Sequence, residues 1–285
     1  MSILVIGLSL AAVLFLLSAG LTLIFGMLGV INFAHGSFYM LGAYLGFQVI
    51  GLTGNFWVAL LVAPLLGGLL GAAVEGAALR RVYDREPHYQ MLLTFGVILV
   101  LDEVVKAVWG LDYKEVSAPL ALASPTRILG ATVSTYRLFI IAFGAAAALL
   151  LFIVLEKTRV GVTVRAASSD PEMVRGLGIN VNAVRTGVFA FGTGLAALAG
   201  AVTAPLFPVE LGMGFSVIID CFVVIVIGGL GSIRGAVAAA LLLGLVRAVG
   251  YTVAPEWVDF AGYTLLIVVL LTRPQGLFGR AGRFA

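Results

Sequence analysis

The stretch Leu21–Gly46, LTLIFGMLGVINFAHGSFYMLGAYLG, decides how this chain folds. Nothing in it is charged, yet Asn32 and His35 stand in the middle of an apolar run. It belongs to a longer segment of the same kind, because the first charged residue is Glu75. As one helix, the chain before Glu75 would extend roughly 110 Å at about 1.5 Å per residue. A bilayer core is only about 30 Å thick. The chain must therefore cross and turn back at least twice before Glu75.

The rest of the composition agrees. Of 285 residues, 61% are hydrophobic and 11% charged, against about 25% charged in an ordinary soluble domain. The mean hydropathy is +1.14. A soluble core of this size cannot hide that much apolar surface, so the expected solvent is lipid. Alternating ten-residue segments, the mark of a lipid-facing barrel, do not appear. The fold class is all-α: one transmembrane helical bundle spanning residues 1–285. Met1-Ser2-Ile3 lacks the basic start of a cleaved signal peptide, so the first helix is expected to be retained. Cys221 is the single cysteine and leaves no internal disulfide. The net charge of +3 does not point to nucleic acid, since the basic residues fall at segment ends.

Nine apolar segments are predicted, at about 3–25, 37–52, 56–79, 90–110, 137–155, 184–207, 216–232, 235–253 and 257–272. The second and ninth are short for a span, so eight full crossings is the alternative count. Arg80, Arg81, Arg85, Lys157, Arg159, Arg165, Arg175, Arg234, Arg273, Arg280 and Arg283 then share one side, which the positive-inside rule makes cytoplasmic. Only Lys114, Arg127 and Arg137 lie opposite. This puts the N-terminus outside and the C-terminus in the cytoplasm. Residues 111–136 form an outer loop and 156–183 an inner one. Ser169-Asp170-Pro171-Glu172 reads as a helix start and Gly176 and Gly178 as its stop, which predicts a short helix at the cytoplasmic surface. A solvated connector is the plainer alternative.

The polar exceptions are few. A helix begun at Ile3 has risen roughly 34 Å by Phe25. Residues 31–36, INFAHG, then read in two ways. They dip into the interior, where broken backbone is tolerated if protein or a water-filled cavity surrounds it, and the amides of Gly36 and Ser37 start a helix that meets a polar group. Or they form a tight turn at the inner interface, with Asn32 as a cap. Asp102–Lys106 and Glu103–Lys106, four and three apart, each share a helix face. A mid-bilayer charge costs about 2.5–3.5 kcal/mol on insertion scales. A structural ion pair directed into the bundle or toward the outer surface reduces that cost. Asp220 has no cation nearby in sequence; it lines a polar path or pairs with Arg247. The small residues of GTGLAALAGA (192–201) and IGGLGSIRGA (227–236) let helices approach closely. HGSFYMLGAYLG and LGSIRGAVAAALLLG share a Gly-Ser step that hints at an internal repeat.

Enzyme chemistry finds no support. There are two histidines and no His-Glu-x-x-His pattern, so no metal is expected. The glycine-rich 227–236 run lacks the Lys-Ser/Thr ending of a phosphate-binding loop, and no Gly-x-Ser-x-Gly elbow is present.

Taken together, LTLIFGMLGVINFAHGSFYMLGAY, LRRVYDREPHYQMLLTFGVILVLDEVVKAVWG, TRVGVTVRAASSDPEMVRGLGINVNAVRTGVFAFGTGLAALAGAV, VVIVIGGLGSIRGAVAAALLLGLV and RPQGLFGR resemble the shorter, H-type permease subunit of bacterial branched-chain amino acid ABC transporters. The likeness covers nearly the whole chain; residues 111–136 match least. It implies an inner-membrane importer subunit that works with a second permease chain, the same or different. Two cytoplasmic ATPase subunits would use the ATP, and a periplasmic or lipid-anchored binding protein would deliver the amino acid. This chain itself would need no cofactor. The resemblance implies that residues 159–179 dock on an ATPase, with Arg159, Gly161, Arg165, Asp170, Met173 and Gly178 as contacts. The polar residues themselves are then expected to line the path, Asn32, Phe33, His35, Gly36, Ser37 and Asp220, with Phe33, Phe38 and Tyr39 as an apolar wall for an aliphatic zwitterion. A related permease for urea, amides or a sugar is the near alternative. An ion-coupled carrier is the distant one, and it would need acids facing one cavity.

Overall fold

A computed structural model describes residues 1–128 and 130–279; Arg280 and Arg283, used above for topology, lie outside the described residues. In chain order the elements are α1 (Ser2–Leu28), α2 (His35–Thr53), α3 (Phe56–Ala77), a 3-10 turn at Leu79–Val82 and α4 (Pro87–Trp109). There follow α5 (Leu120–Ala123), β1 (Pro125–Ile128), β2 (Ala131–Ser134), α6 (Thr135–Lys157), α7 (Arg159–Ser169) and α8 (Pro171–Gly176). The chain continues through α9 (Val181–Thr203), α10 (Met213–Gly228), α11 (Ile233–Val253), a second 3-10 turn at Pro255–Trp257 and α12 (Val258–Thr272).

The punctuation is local chemistry. Gly29 ends α1 in the left-handed region (φ 68°), with its N–H on the Phe25 carbonyl; without a Cβ, glycine adopts this at little cost. Gly54 ends α2 the same way. Asn55 then caps α3 by accepting from the amides of Trp57 and Val58. Ser232 caps α11. Its counterpart Ser37 lies inside α2, so the two Gly-Ser steps do not play the same part.

Among the described residues, six helices are long and apolar enough to cross a membrane: α1, α3, α6, α9, α11, and α12 with the turn before it. The other three predicted segments exist as helices but do not reach that standard. Helix α10 has 16 residues, α2 carries His35, Ser37 and Gln48, and α4 carries Asp102, Glu103 and Lys106. Six of the nine predicted segments thus meet the length and composition of a crossing among the described residues. Residues 111–136 hold an antiparallel hairpin, with Thr126 opposite Val133, which no sequence pattern indicates.

Basic segment ends gather at one end of the bundle. Arg80 reaches Thr186, Arg234 lies 3.5 Å from Glu156, and the Leu277 and Phe278 amides donate to the Ile227 and Gly228 carbonyls. At the other end Lys114 pairs with Val209 and the Trp109 indole N–H donates to Gln48 Oε1 at 3.0 Å.

Helices α1 and α9 form the centre: 67% and 72% of their spanning windows are buried, against 17% for α6 and α12. The α9 small residues account for this. A Cβ on Gly42 of α2 would run into the Ala197 backbone, and one on Gly200 of α9 into the Tyr39 carbonyl. Backbones this close gain dispersion contacts that lipid cannot replace. Gly42→Val is therefore expected to cost about 3 kcal/mol, the upper part of the overpacking range. Gly51→Val on the same helix, where nothing lies within 4 Å, is expected to cost little. Denaturation midpoints of the two variants in detergent check this.

Candidate functional site

The elbow between α1 and α2 is packed inside the chain. Val30, Asn32, Ala34 and His35 are buried. The Asn32 carbonyl accepts from the His35 amide at 3.3 Å. His35 Nε2 lies 3.0 Å from the Leu17 carbonyl; a carbonyl only accepts, so Nε2 carries the proton. Neither side-chain atom of Asn32, nor His35 Nδ1, has a hydrogen-bonding partner among the described residues. Gly36 meets the Gly214 backbone of α10, Ser37 is buried, and the Phe33 ring packs on Phe222 with centroids 5.1 Å apart. Phe38 and Tyr39, the expected apolar wall, lie in the same core. The elbow thus sits on α10, and of the two sequence readings the interior one describes it.

Asp220, also on α10, is almost wholly buried and bound by Arg247 of α11. Arg247 Nη1 donates to Asp220 Oδ2, and Nη2 donates to Oδ1 at 2.6 Å. A further bond from Nη2 reaches Asp259 of α12 at 3.2 Å. This forked pairing suits guanidinium and carboxylate. Of the two pairs offered on α4, Glu103–Lys106 forms, at 3.1 Å, and its side chains are exposed rather than directed into this chain's bundle.

The inner loop folds into two helices where one was predicted. Thr158 caps α7, and Asp170 accepts from the Met173 amide at 2.9 Å to start α8, as its position before Pro171 suggested. Gly178 follows at φ 81°. Arg159, Arg165, Asp170, Met173 and Gly178 are exposed, whereas Gly161 is buried against the Leu155 backbone and the Arg165 guanidinium donates to the Leu155 carbonyl. Val160, Val162, Met173 and Leu177 are apolar and exposed on the same two helices. Ser168 Oγ donates to the Gly26 carbonyl at 2.7 Å. Met27, Ala167, Val174, Val181 and Val188 form one buried cluster. The surface helices are thereby fastened to the end of α1, next to the elbow.

Behind α8 lies a polar cleft of about 640 Å³, lined among others by Arg80, Tyr83, Glu172, Arg175 and Arg185. Its floor is a network the sequence reading did not find. Glu75 is fully buried and accepts from Arg80 Nη2 at 3.0 Å, the Tyr83 hydroxyl at 2.9 Å and Thr186 Oγ1 at 2.7 Å. Arg185 stacks over the Tyr83 ring at 5.1 Å. Burial raises the Tyr83 phenol well above its ordinary range, and the Glu75 carboxylate beside it adds to the rise. The hydrogen bond and charge of Glu75 raise Arg80 in turn. The one sequence signal was Glu75 itself, the first charge in the chain, five residues before Arg80.

The family described as branched-chain amino acid transport system, permease component, matches residues 3–270. The chain belongs to this family. It is similar to the high-affinity branched-chain amino acid transport system permease protein BraD of Pseudomonas aeruginosa, with 32% identity over 97% of this chain and 95% of that one. It is also similar to the corresponding permease protein LivH of Escherichia coli K12, at 31% over 96% and 94%. For the probable permease LivH of Methanocaldococcus jannaschii the figures are 26%, 93% and 88%. No solved structure matches.

In this permease the Glu75 network ties α3, the 3-10 turn and α9 together beneath the surface helices. Removing the carboxylate strands the Tyr83 hydroxyl, whereas Thr186 keeps the Asn182 carbonyl, and an unsatisfied buried polar group costs about 1–3 kcal/mol. Glu75→Ala is expected to lose that much in a detergent unfolding titration, while Glu172→Ala, which is exposed, stays close to the parent.

Proposed function

We propose that this permease forms, with a second permease chain, the passage by which branched-chain amino acids enter the cell. Separate cytoplasmic ATPase subunits drive it, and a binding protein outside the membrane loads it. The matched family and the similar branched-chain amino acid permeases support the substrate class. The observation that carries the mechanism is the link between the surface helices and the elbow: Ser168 holds the Gly26 carbonyl, three residues before the glycine that ends α1.

In this reading α2, α4 and α10 also cross the bilayer, which makes nine passes with the N-terminus outside. The alternation of helix ends and the gathering of basic residues at one end support it. Helices α2 and α10 are short or polar for lipid, but a buried segment needs no apolar surface on every side. An ATPase seated on Val160, Val162, Met173 and Leu177, together with Arg159, Asp170 and Gly178, moves α7 and α8 as a unit when nucleotide closes its dimer. Because α7 holds the end of α1, the elbow moves with it. Asn32 and His35, closed off here, then open onto the passage and offer an amide and an imidazole to the charged ends of a zwitterion. Phe33 and its neighbours offer apolar wall. Weak contacts suffice, since a passage must release what it receives.

The test is uptake of labelled leucine by the complex reconstituted with its ATPase and binding-protein subunits. ATP-dependent leucine accumulation supports the reading; accumulation of urea or a sugar instead of leucine overturns the substrate assignment. Met173→Glu places a charge at one of these apolar positions. It is expected to lower uptake at least tenfold while the chain folds normally, and Asp170→Asn, which keeps a capping oxygen, is expected to retain most uptake. Unchanged uptake by Met173→Glu contradicts the docking surface.

A further inference from the structure

We infer that the outward face of α4 is the surface on which this permease meets its second permease chain. The inference rests on the two-permease reading above and names the helix that serves it.

Helix α4 packs within this chain mainly on α2 and the Leu79–Val82 turn. Its remaining face is open. Leu99, Val100, Glu103, Val104 and Ala107 line a shallow hollow of about 580 Å³ there, and Gly96, a turn nearer the cytoplasmic end, has nothing within 4 Å of the place a Cβ would take. The hollow contains half of an ion pair: Glu103 holds Lys106 at 3.1 Å, with both side chains exposed.

The depth of that pair decides what covers it. The Trp109 indole, bonded to Gln48, marks the outer end of α4, and indoles favour the headgroup level. Glu103 lies six residues, roughly 9 Å, below it. The glutamate arm is short and already held by Lys106, so it does not reach headgroup water as a free lysine does. An exposed carboxylate at that depth is strongly disfavoured against acyl chains and is expected to face protein or water. Helix α6 shows what a lipid face looks like in this chain. Leu149, Leu150, Phe152 and Ile153 are exposed there, with no charge among them. The α4 face mixes apolar anchors, a small-residue notch and a paired charge, which is the character of a helix contact within a membrane. A second permease chain, with polar groups opposite Glu103 and a bulky side chain in the hollow, satisfies all three.

The experiment uses the assembled complex in lipid nanodiscs. A benzophenone amino acid replaces Val100 or, as the lipid-facing control, Leu149. After irradiation, mass spectrometry identifies what each has captured. The expected result is a covalent adduct between the Val100 position and the second permease chain, at several times the yield from the Leu149 position. A nitroxide at Val104, in a Cys221→Ser background, is expected to be several-fold less relaxed by oxygen than one at Leu150. Capture of lipid alone at Val100, with Val104 as oxygen-exposed as Leu150, overturns the inference. So does strong relaxation of Val104 by a water-soluble agent, because the face then lines the passage. A complex that holds a second permease chain yet gives no adduct at Val100 refutes this face and leaves the two-permease reading intact. A functional complex with no second permease chain refutes both.

Discussion

Buried backbone amides and carbonyls must find partners inside the protein, and residues 29–34 are a largely buried stretch in which no helix supplies them. Helix α1 runs unbroken to Leu28, and α2 does not begin until His35. Between them the backbone is irregular, and it is tolerated because protein surrounds it. The Asn32 carbonyl takes the His35 amide, the His35 ring takes the Leu17 carbonyl, and Gly36 lets α10 close over the whole. Much of the remaining architecture follows from keeping that elbow covered. Helix α9 lies against α1 and α2 through glycine and alanine, and α10 lies against α2.

The same elbow joins the two ends of the function. On one side it holds Asn32 and His35, the polar residues proposed above to meet the amino acid. On the other, three residues back, its helix is fastened to α7 by Ser168 and by the cluster around Met27 and Ala167. A packed core has discrete arrangements rather than a continuous range. A small push on the surface helices therefore has somewhere to go. The ion triad of Asp220, Arg247 and Asp259 ties α10, α11 and α12 into one block, and in the proposed mechanism α10 is the wall against which α1 and α2 would move.

Much of this could be read from the residues alone. The helices follow the apolar runs, and their ends follow Gly29, Gly54, Asn55 and Asp170–Pro171, because each of these acts on its own neighbours. What escaped the reading was of two kinds. Helix α7 holds Val160, Val162, Thr163 and Val164 close together, β-branched residues with weak helix preference, and it is the contact with α1 that holds the helix. Tertiary partners were the other kind. Glu75 meets Thr186 across 111 residues, and no spacing rule connects them. The sequence leaves Asp220 between a path and Arg247; Arg247 takes it, with Asp259 as a third member that no local spacing indicates. On α4 both charge pairs shared a face, and only packing could choose Glu103–Lys106 and turn it outward.

The central claim is that the elbow is closed at rest and opens when the ATPases act. The most direct measurement is the reaction of Asn32→Cys, in a Cys221→Ser background, with a membrane-impermeant thiol reagent in the reconstituted complex. The account predicts little labelling without nucleotide and at least tenfold faster labelling, from one side of the membrane, in a nucleotide-trapped state. Equal labelling in every state, whether fast or absent, would contradict it.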